Sequence, residues 1–371
     1  MQSKARTPPH LAATAPLGVW VRLIREHGGV PRPYWGKLAR VLLTSATLAP
    51  LRLVERTWFD RRVARTAIHP SPVYVHGFAR TGTTHLHNLF AQDPGFGFPT
   101  TFQAFASPMF LTTRGWLEPL IAKRLPSTRP MDNVAVSLSL PQEEEVALAC
   151  ISHLSPVHAV SFPNRIQEIT DKFGSMRLSA HELAQWERAY LRVLRQATLA
   201  AGGRRLVLKS PANLGRTSVL RRLLPDAKFV FIIRNPYVTY LSNLKLYRNL
   251  LPAYGMADCD WATVAAAVRS NFAAMTRRYM QERSSIPKGN LVEVRFEDIE
   301  RDPLSELEHI YHELRLPGWE RARAPIAAYL ETISGYAKNR YRIDRSVIDV
   351  VNRDWGFAVR EWGYAPPDAD G

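Results

Sequence analysis

From residue 73 onward, short apolar runs alternate with amphipathic helical stretches, and that alternation predicts the architecture. Pro72-Val73-Tyr74-Val75 is β-branched and aromatic, is entered through Pro70 and Pro72, and reads as a buried strand. Beyond the glycine-containing turn that follows, Leu86, Leu89 and Phe90 fall on one face of a helix opening near Thr84. Ser179-Ala180-His181-Glu182 is a capping box; Leu183, Trp186, Tyr190, Leu191 and Leu194 follow at helical spacing, and Gly202-Gly203 ends that helix. Arg205 to Lys209 reads as a short strand, with a helix around Arg216 to Leu224 behind it. Lys228-Phe229-Val230-Phe231-Ile232-Ile233 is nearly all apolar, as a strand covered on both faces should be, and Asn290 to Phe296 reads as a further strand. Strands alternating with helices predict an α/β fold: a three-layer, P-loop-like parallel sheet flanked by helices. Residues 1–72 read as an N-terminal helical segment and residues 73–371 as the α/β domain.

The turn after the first strand carries the first candidate chemistry. Gly77 and Gly82 are separated by four residues, the spacing of a phosphate-binding loop, but Thr83 stands where a nucleotide triphosphatase has its lysine. The cation is instead Arg80. Backbone N–H groups opening onto a helix N-terminus still bind an anion. An ordinary strand-to-helix turn is the bland alternative, and the donors on Arg80, Thr81, Thr83 and Thr84 argue against it. Two further clusters follow predicted strands, where α/β sheets bind ligands. One is Lys209-Ser210-Pro211. The other is Arg234-Asn235-Pro236 with Ser242 two helical turns later, an arginine fork and a hydroxyl that can converge on one phosphate.

Charge and cysteine usage narrow the partners. A formal net charge of +16 favours anionic substrates, anionic lipid or polyanions. The arginines are dispersed and no nucleic-acid-binding motif is present, so nucleic acid is not an expected partner. Cys150 and Cys259, the two cysteines, lie outside any metal-ligand spacing; a reducing compartment and no metal are expected. Lys4 and Arg6 lead into Pro8-Pro9-His10 rather than an apolar signal core, which suggests a cytoplasmic protein. Val41 to Val54 is apolar but too short to span a bilayer and is broken by Pro50 and Arg52. With the flank from Tyr34-Trp35 to Arg40, residues 34–58 are a candidate for peripheral membrane contact, simple packing over the α/β domain being the stronger expectation. Nothing in the sequence sets the oligomeric state.

Taken together, the motifs resemble those of sulfotransferases that use 3′-phosphoadenosine 5′-phosphosulfate (PAPS). The resemblance identifies Arg80-Thr81-Gly82-Thr83-Thr84, behind Gly77, with the loop that binds the 5′-phosphosulfate. It assigns Arg234 and Ser242 to the 3′-phosphate, and Phe296-Glu297-Asp298 to a strand-end Y-E-D whose aromatic lies against the nucleotide, with Phe296 replacing tyrosine. Lys209 resembles a lysine that approaches the transferred sulfuryl group in the tyrosylprotein branch. The likeness is nearest to bacterial members of the family. Those also carry segments matched by Pro99 to Phe102, Pro130 to Asn133, Pro141 to Glu145, Leu208 to Pro211 and Arg234 to Tyr237, and a basic segment at Lys338 to Tyr341 that implies a lid with Arg340 on the 3′-phosphate. What this implies is an enzyme that moves a sulfuryl group from PAPS, without a metal, to a small-molecule, lipid or glycan acceptor.

Sulfuryl transfer requires cations on the leaving phosphate and a base for the acceptor hydroxyl. Arg80 and Lys209 are the natural cations. The base is the least legible part: Glu143, Glu144, Glu145, His153 and His158 are candidates, and Glu143 is chosen on family pattern. Three adjacent acids behind Pro141 are also what a solvated helix start looks like. Phe102, Phe105, Met109 and Phe110 suit an apolar acceptor pocket or equally a core helix. Two other readings remain at this point, a kinase-like phosphotransferase and a non-catalytic basic protein of the membrane surface with a relic loop.

Overall fold

The computed structural model describes residues 10–123, 137–335 and 341–367. Pro130 to Asn133 and Arg340 lie outside the described residues. Five strands form one parallel sheet: β1 (Val73–His76), β2 (Phe96–Gly97), β3 (Arg205–Lys209), β4 (Lys228–Ile233) and β5 (Leu291–Arg295), in the order β2-β3-β1-β4-β5. β1 is central. Val73 pairs with Val207 on one side and Lys228 on the other, so the carboxyl ends of β1, β3 and β4 reach the same edge of the sheet.

Strand alternation explains the two cores, because successive side chains leave a strand on opposite faces. Val73 and Val75 of β1, Val207 of β3 and Val230 and Ile232 of β4 meet Leu86, Leu89 and Phe90 of helix Thr83–Phe90 and Leu307 and Ile310 of helix Pro303–Glu313. Tyr74, Leu206, Leu208 and Phe229 point the other way, onto Trp186, Tyr190 and Leu194 of helix Ala180–Ala200. The capping box at that helix's start is complete, with Ser179 and Glu182 each bonding the other's backbone N–H. β5, at the edge, buries only Val292 and Val294 and exposes Glu293 and Arg295.

Among the described residues, three α-helices, Leu17–Glu26, Trp35–Thr47 and Ala49–Arg65, and the 3-10 turn Arg32–Tyr34 precede β1. Trp20, Leu23 and Val41 are buried in the same cluster as Trp186 and Phe162, so this segment packs over the sheet domain. Its outward side is less well covered: Trp35 is 55% exposed, Leu43 and Leu53 each 66% and Trp58 70%. Among the described residues no helix is long and apolar enough to cross a membrane. Phe102, Met109 and Phe110 pack with Val63, Leu111 and Leu138, which makes them core. Cys150 and Cys259 are unpaired.

Candidate active site

Helix Thr83–Phe90 opens directly from the turn that follows β1, and its first N–H groups have no carbonyl to bond within the helix. Gly82 caps it at φ +97°, a conformation that disfavours a side chain, and a Cβ there would overlap the Phe296 ring. A Cβ on Gly77 would sit 2.7 Å from Thr81 Oγ1 and 2.8 Å from the Ile232 carbonyl oxygen. Both glycines therefore answer to close approach, not merely to a turn. Arg80 is held at φ +70°, in the left-handed region that non-glycine residues seldom adopt.

That strained turn is gripped from β4 and its helix. Arg234, one residue past β4, donates through Nη1 to the Arg80 carbonyl at 3.2 Å. Asn243, on helix Pro236–Tyr254, donates to the Ala79 carbonyl at 2.8 Å. Ser242, its neighbour, accepts at 3.1 Å from Arg80 Nε and at 3.1 Å from the Tyr341 hydroxyl. The Arg234 guanidinium lies over the Phe296 ring, 4.3 Å from its centroid, and burial lowers its pKa from the ordinary value. Glu297 accepts from the Asn235 N–H and the Tyr364 hydroxyl, both at 2.9 Å, tying the end of β5 to the start of the β4 helix. The structure thus brings Gly77, Arg80, Thr81, Gly82, Thr83, Thr84, Arg234, Ser242 and Phe296 to one crevice, and adds Asn243 and Tyr341. Asn243 directly follows Ser242, so an eight-residue spacing rule alone passes it over.

The second half of the crevice surrounds Lys209, the last residue of β3. Its Nζ donates to Glu143 Oε1 at 2.6 Å; the side chains are 5% and 25% exposed, so the lysine is buried and the carboxylate reaches solvent. The solvated helix start expected of the three glutamates is not what forms. Glu143 stands at the N-cap position of helix Glu144–Ala149 without a side-chain capping bond and alone keeps some exposure, whereas Glu144 and Glu145 are buried. Glu144 accepts from the Lys209 backbone N–H at 3.1 Å, Asn213 Nδ2 at 2.6 Å and the Tyr190 hydroxyl at 3.3 Å. Burial pushes its pKa up, against the Asn213 hydrogen bond. Glu145 accepts from Ser155 at 2.7 Å and forms a buried ion pair with Arg216, whose guanidinium lies over Trp186.

The histidines belong elsewhere. His158 is fully buried on the Ser152 carbonyl at 2.9 Å, its pKa lowered to about 3 by burial, and His153 lies 3.8 Å from Glu26. His76 and His87 are likewise buried and lowered to about 3, chiefly by desolvation. No hydrogen bond joins any of these four to Lys209 or Glu143 among the described residues, although the Lys209 charge adds to the lowering at His87.

A P-loop-like turn at the central strand, arginines in place of the lysine, and a cation at the neighbouring strand end are the parts that a group-transfer enzyme acting on a phosphorylated nucleotide would need. The chain belongs to the sulfotransferase family, whose model matches residues 72–321. It is therefore a sulfotransferase, and family membership implies PAPS as co-substrate. The chain is 30% identical over 346 residues, 93% of this chain and 89% of the relative, to the omega-hydroxy-beta-dihydromenaquinone-9 sulfotransferase Stf3 of Mycobacterium tuberculosis. In fold it is similar to sulfotransferase STF1 of M. tuberculosis, with TM-score 0.66 at 20% identity over 92% of this chain and 91% of that one. It is also similar to STF9 of Mycobacterium avium, with TM-score 0.69 at 15% identity over the whole of both chains.

Proposed function

We propose that the enzyme transfers the sulfuryl group of PAPS to a hydroxyl of a lipid-like acceptor, working on the cytoplasmic side of a membrane. The observation that carries this reading is the convergence of Arg80, Arg234, Ser242 and Phe296 beside the glycine loop. Gly77 and the loop N–H groups, with Thr81, Gly82, Thr83 and Thr84, hold the 5′-phosphate. Arg234 and Ser242 hold the 3′-phosphate, and the Phe296 ring lies against the nucleotide. The acceptor oxygen attacks sulfur in line; the bond from sulfur to the bridging oxygen breaks and its electron pair stays on the 5′-phosphate. Lys209 and Arg80 stabilise the charge that gathers there. Glu143 takes the acceptor's proton. With Lys209 as its resting partner, Glu143 exchanges that bond for the acceptor hydroxyl, which turns the Lys209 ammonium toward the leaving oxygen.

The lipid-like acceptor is supported by the similarity to Stf3, whose name describes a hydroxylated menaquinone as its substrate. Exposure of Trp35, Leu43, Leu53 and Trp58 supports peripheral contact through residues 34–58. Calorimetry tests the donor site. Adenosine 3′,5′-bisphosphate should bind at least about tenfold, or ~1.4 kcal/mol, more tightly than adenosine 5′-phosphate, without magnesium. Arg234→Ala should erase that preference. Equal affinity for the two, or a preference for ATP with magnesium, would overturn the assignment.

A further inference from the structure

Helix Ala49–Arg65 buries Arg52, Glu55 and Val63 and turns Leu53, Arg56, Trp58, Arg61, Arg62 and Arg65 to solvent. Trp58, Arg61, Arg62, Arg65, Thr66 and Leu199 line a surface depression of about 480 Å³. Its charge is uncompensated. The two acids of the helix are committed elsewhere, Glu55 to the N–H groups of Leu111 and Thr112 and Asp60 to Arg192 at 2.6 Å. Among the described residues no carboxylate forms an ion pair with Arg61, Arg62 or Arg65. The short helix Leu117–Ala122 packs through Leu117 onto the same cluster as Val63, Phe59 and Leu199; with Trp116 at its N-cap, it exposes Trp116, Leu120 and Ile121 at 50%, 53% and 36%.

Three guanidinium groups without a carboxylate partner among the described residues, beside exposed Trp58 and on the same helix as exposed Leu53, match the boundary layer of an anionic bilayer. The cations meet lipid phosphates while the apolar side chains enter the acyl boundary. A polyanion such as nucleic acid would account for the arginines but leave Leu53, Trp116 and Leu120 without a role. We infer that this depression is a headgroup site for anionic phospholipid and, with helix Leu117–Ala122, docks the enzyme on a negatively charged membrane. The inference rests on the peripheral contact proposed above and extends it, since the charged part of the surface lies past residue 58. The docking face is also joined to the acceptor side of the crevice. Phe102 lies in the cluster under the two helices and its N–H donates to the Leu138 carbonyl at 3.0 Å, on the segment that runs into Glu143.

The test is flotation of the full chain with vesicles of phosphatidylcholine alone and of phosphatidylcholine mixed with phosphatidylglycerol, with no nucleotide present. Wild type should float with the anionic vesicles, bind the neutral ones at least tenfold more weakly, and detach as salt rises. The triple change Arg61→Ala, Arg62→Ala, Arg65→Ala should weaken binding about a hundredfold, since each basic residue near an anionic surface contributes a factor of about five. Affinity for adenosine 3′,5′-bisphosphate should be unchanged, which shows that the variant is folded. Equal binding to both vesicle types would leave an apolar contact but overturn the headgroup site. An unaffected triple variant would also overturn it, and no binding to either vesicle would overturn both that site and the membrane contact. None of these outcomes touches sulfuryl transfer itself, which the nucleotide affinities judge separately.

Discussion

Arg234 and Phe296 enter the crevice because they directly follow β4 and β5, whereas Glu143 enters it from a loop fixed by residues 65 to 71 positions further along the chain. Each donor-side element carries a local sequence signal (strand, glycine turn, helix, then a cation where the next strand stops), although the contacts that join these elements span 154 to 164 positions. The acceptor side is a product of long-range polar contacts. Glu144 clamps the end of β3 through the Lys209 N–H and Asn213, and Glu145 is anchored by Arg216 beneath Trp186. The difference teaches that the two halves should fail differently. Damage to the donor side should cost nucleotide affinity, and damage to the acceptor side should cost stability and turnover.

The largest expected effect comes from removing the anchor. Arg216→Met leaves the Glu145 carboxylate buried without its cation, and breaking a buried pair in this way costs roughly 3–5 kcal/mol. Chemical denaturation should register that loss. The double change Arg216→Met with Glu145→Gln should recover a large part of it, because no uncompensated charge then remains. Affinity of the folded fraction for adenosine 3′,5′-bisphosphate should stay near wild type. A fall in that affinity equal to the fall in stability would mean that the two halves are one cooperative unit and the comparison is false.

The fold and the donor side were largely legible in the sequence for the same reason: their signals are local. The strands at Val73, Arg205 and Lys228 announced themselves by continuous apolar runs, and the loop by glycine spacing with hydroxyls. The helix after Ser179 was marked by its capping box. The acceptor side was not, because burial of a charged residue depends on its partners. Three consecutive glutamates behind a proline read as a solvated helix start, and nothing within a helical turn of them reports Asn213 or Arg216. Phe102, Met109 and Phe110 stood equally for core or pocket, and the deciding neighbour, Val63, lies in the N-terminal segment.

An intermediate effect separates two roles for Glu143. If it takes the acceptor's proton, Glu143→Gln should lower kcat by at least about 10²-fold with nucleotide affinity unchanged, as loss of a general base does. If it only orients Lys209, the glutamine oxygen still accepts from the ammonium and the loss should stay under about tenfold. Lys209→Ala should lower kcat in either case, so the comparison rests on the glutamine variant.

The smallest expected effect sharpens the donor side. Asn243 holds the Ala79 carbonyl at 2.8 Å and belongs to no motif that the sequence displayed, yet it braces the turn in which Arg80 keeps its left-handed backbone. Asn243→Ala removes this hydrogen bond and a second one to the Thr239 carbonyl within its own helix, each worth about 1 kcal/mol, and only the first braces the loop. If the brace preorganises the loop, the loss should be shared equally by adenosine 5′-phosphate and adenosine 3′,5′-bisphosphate, because the proposed role of the loop is to meet the 5′-phosphate common to both. Arg234→Ala also removes a brace, on the Arg80 carbonyl, and should in addition discriminate between the two ligands. Calorimetric titration of both nucleotides against both variants therefore separates support of the 5′ end from recognition of the 3′ end. A loss in Asn243→Ala confined to the bisphosphate would place Asn243 in the 3′-phosphate site beside Ser242 and not in the loop's support.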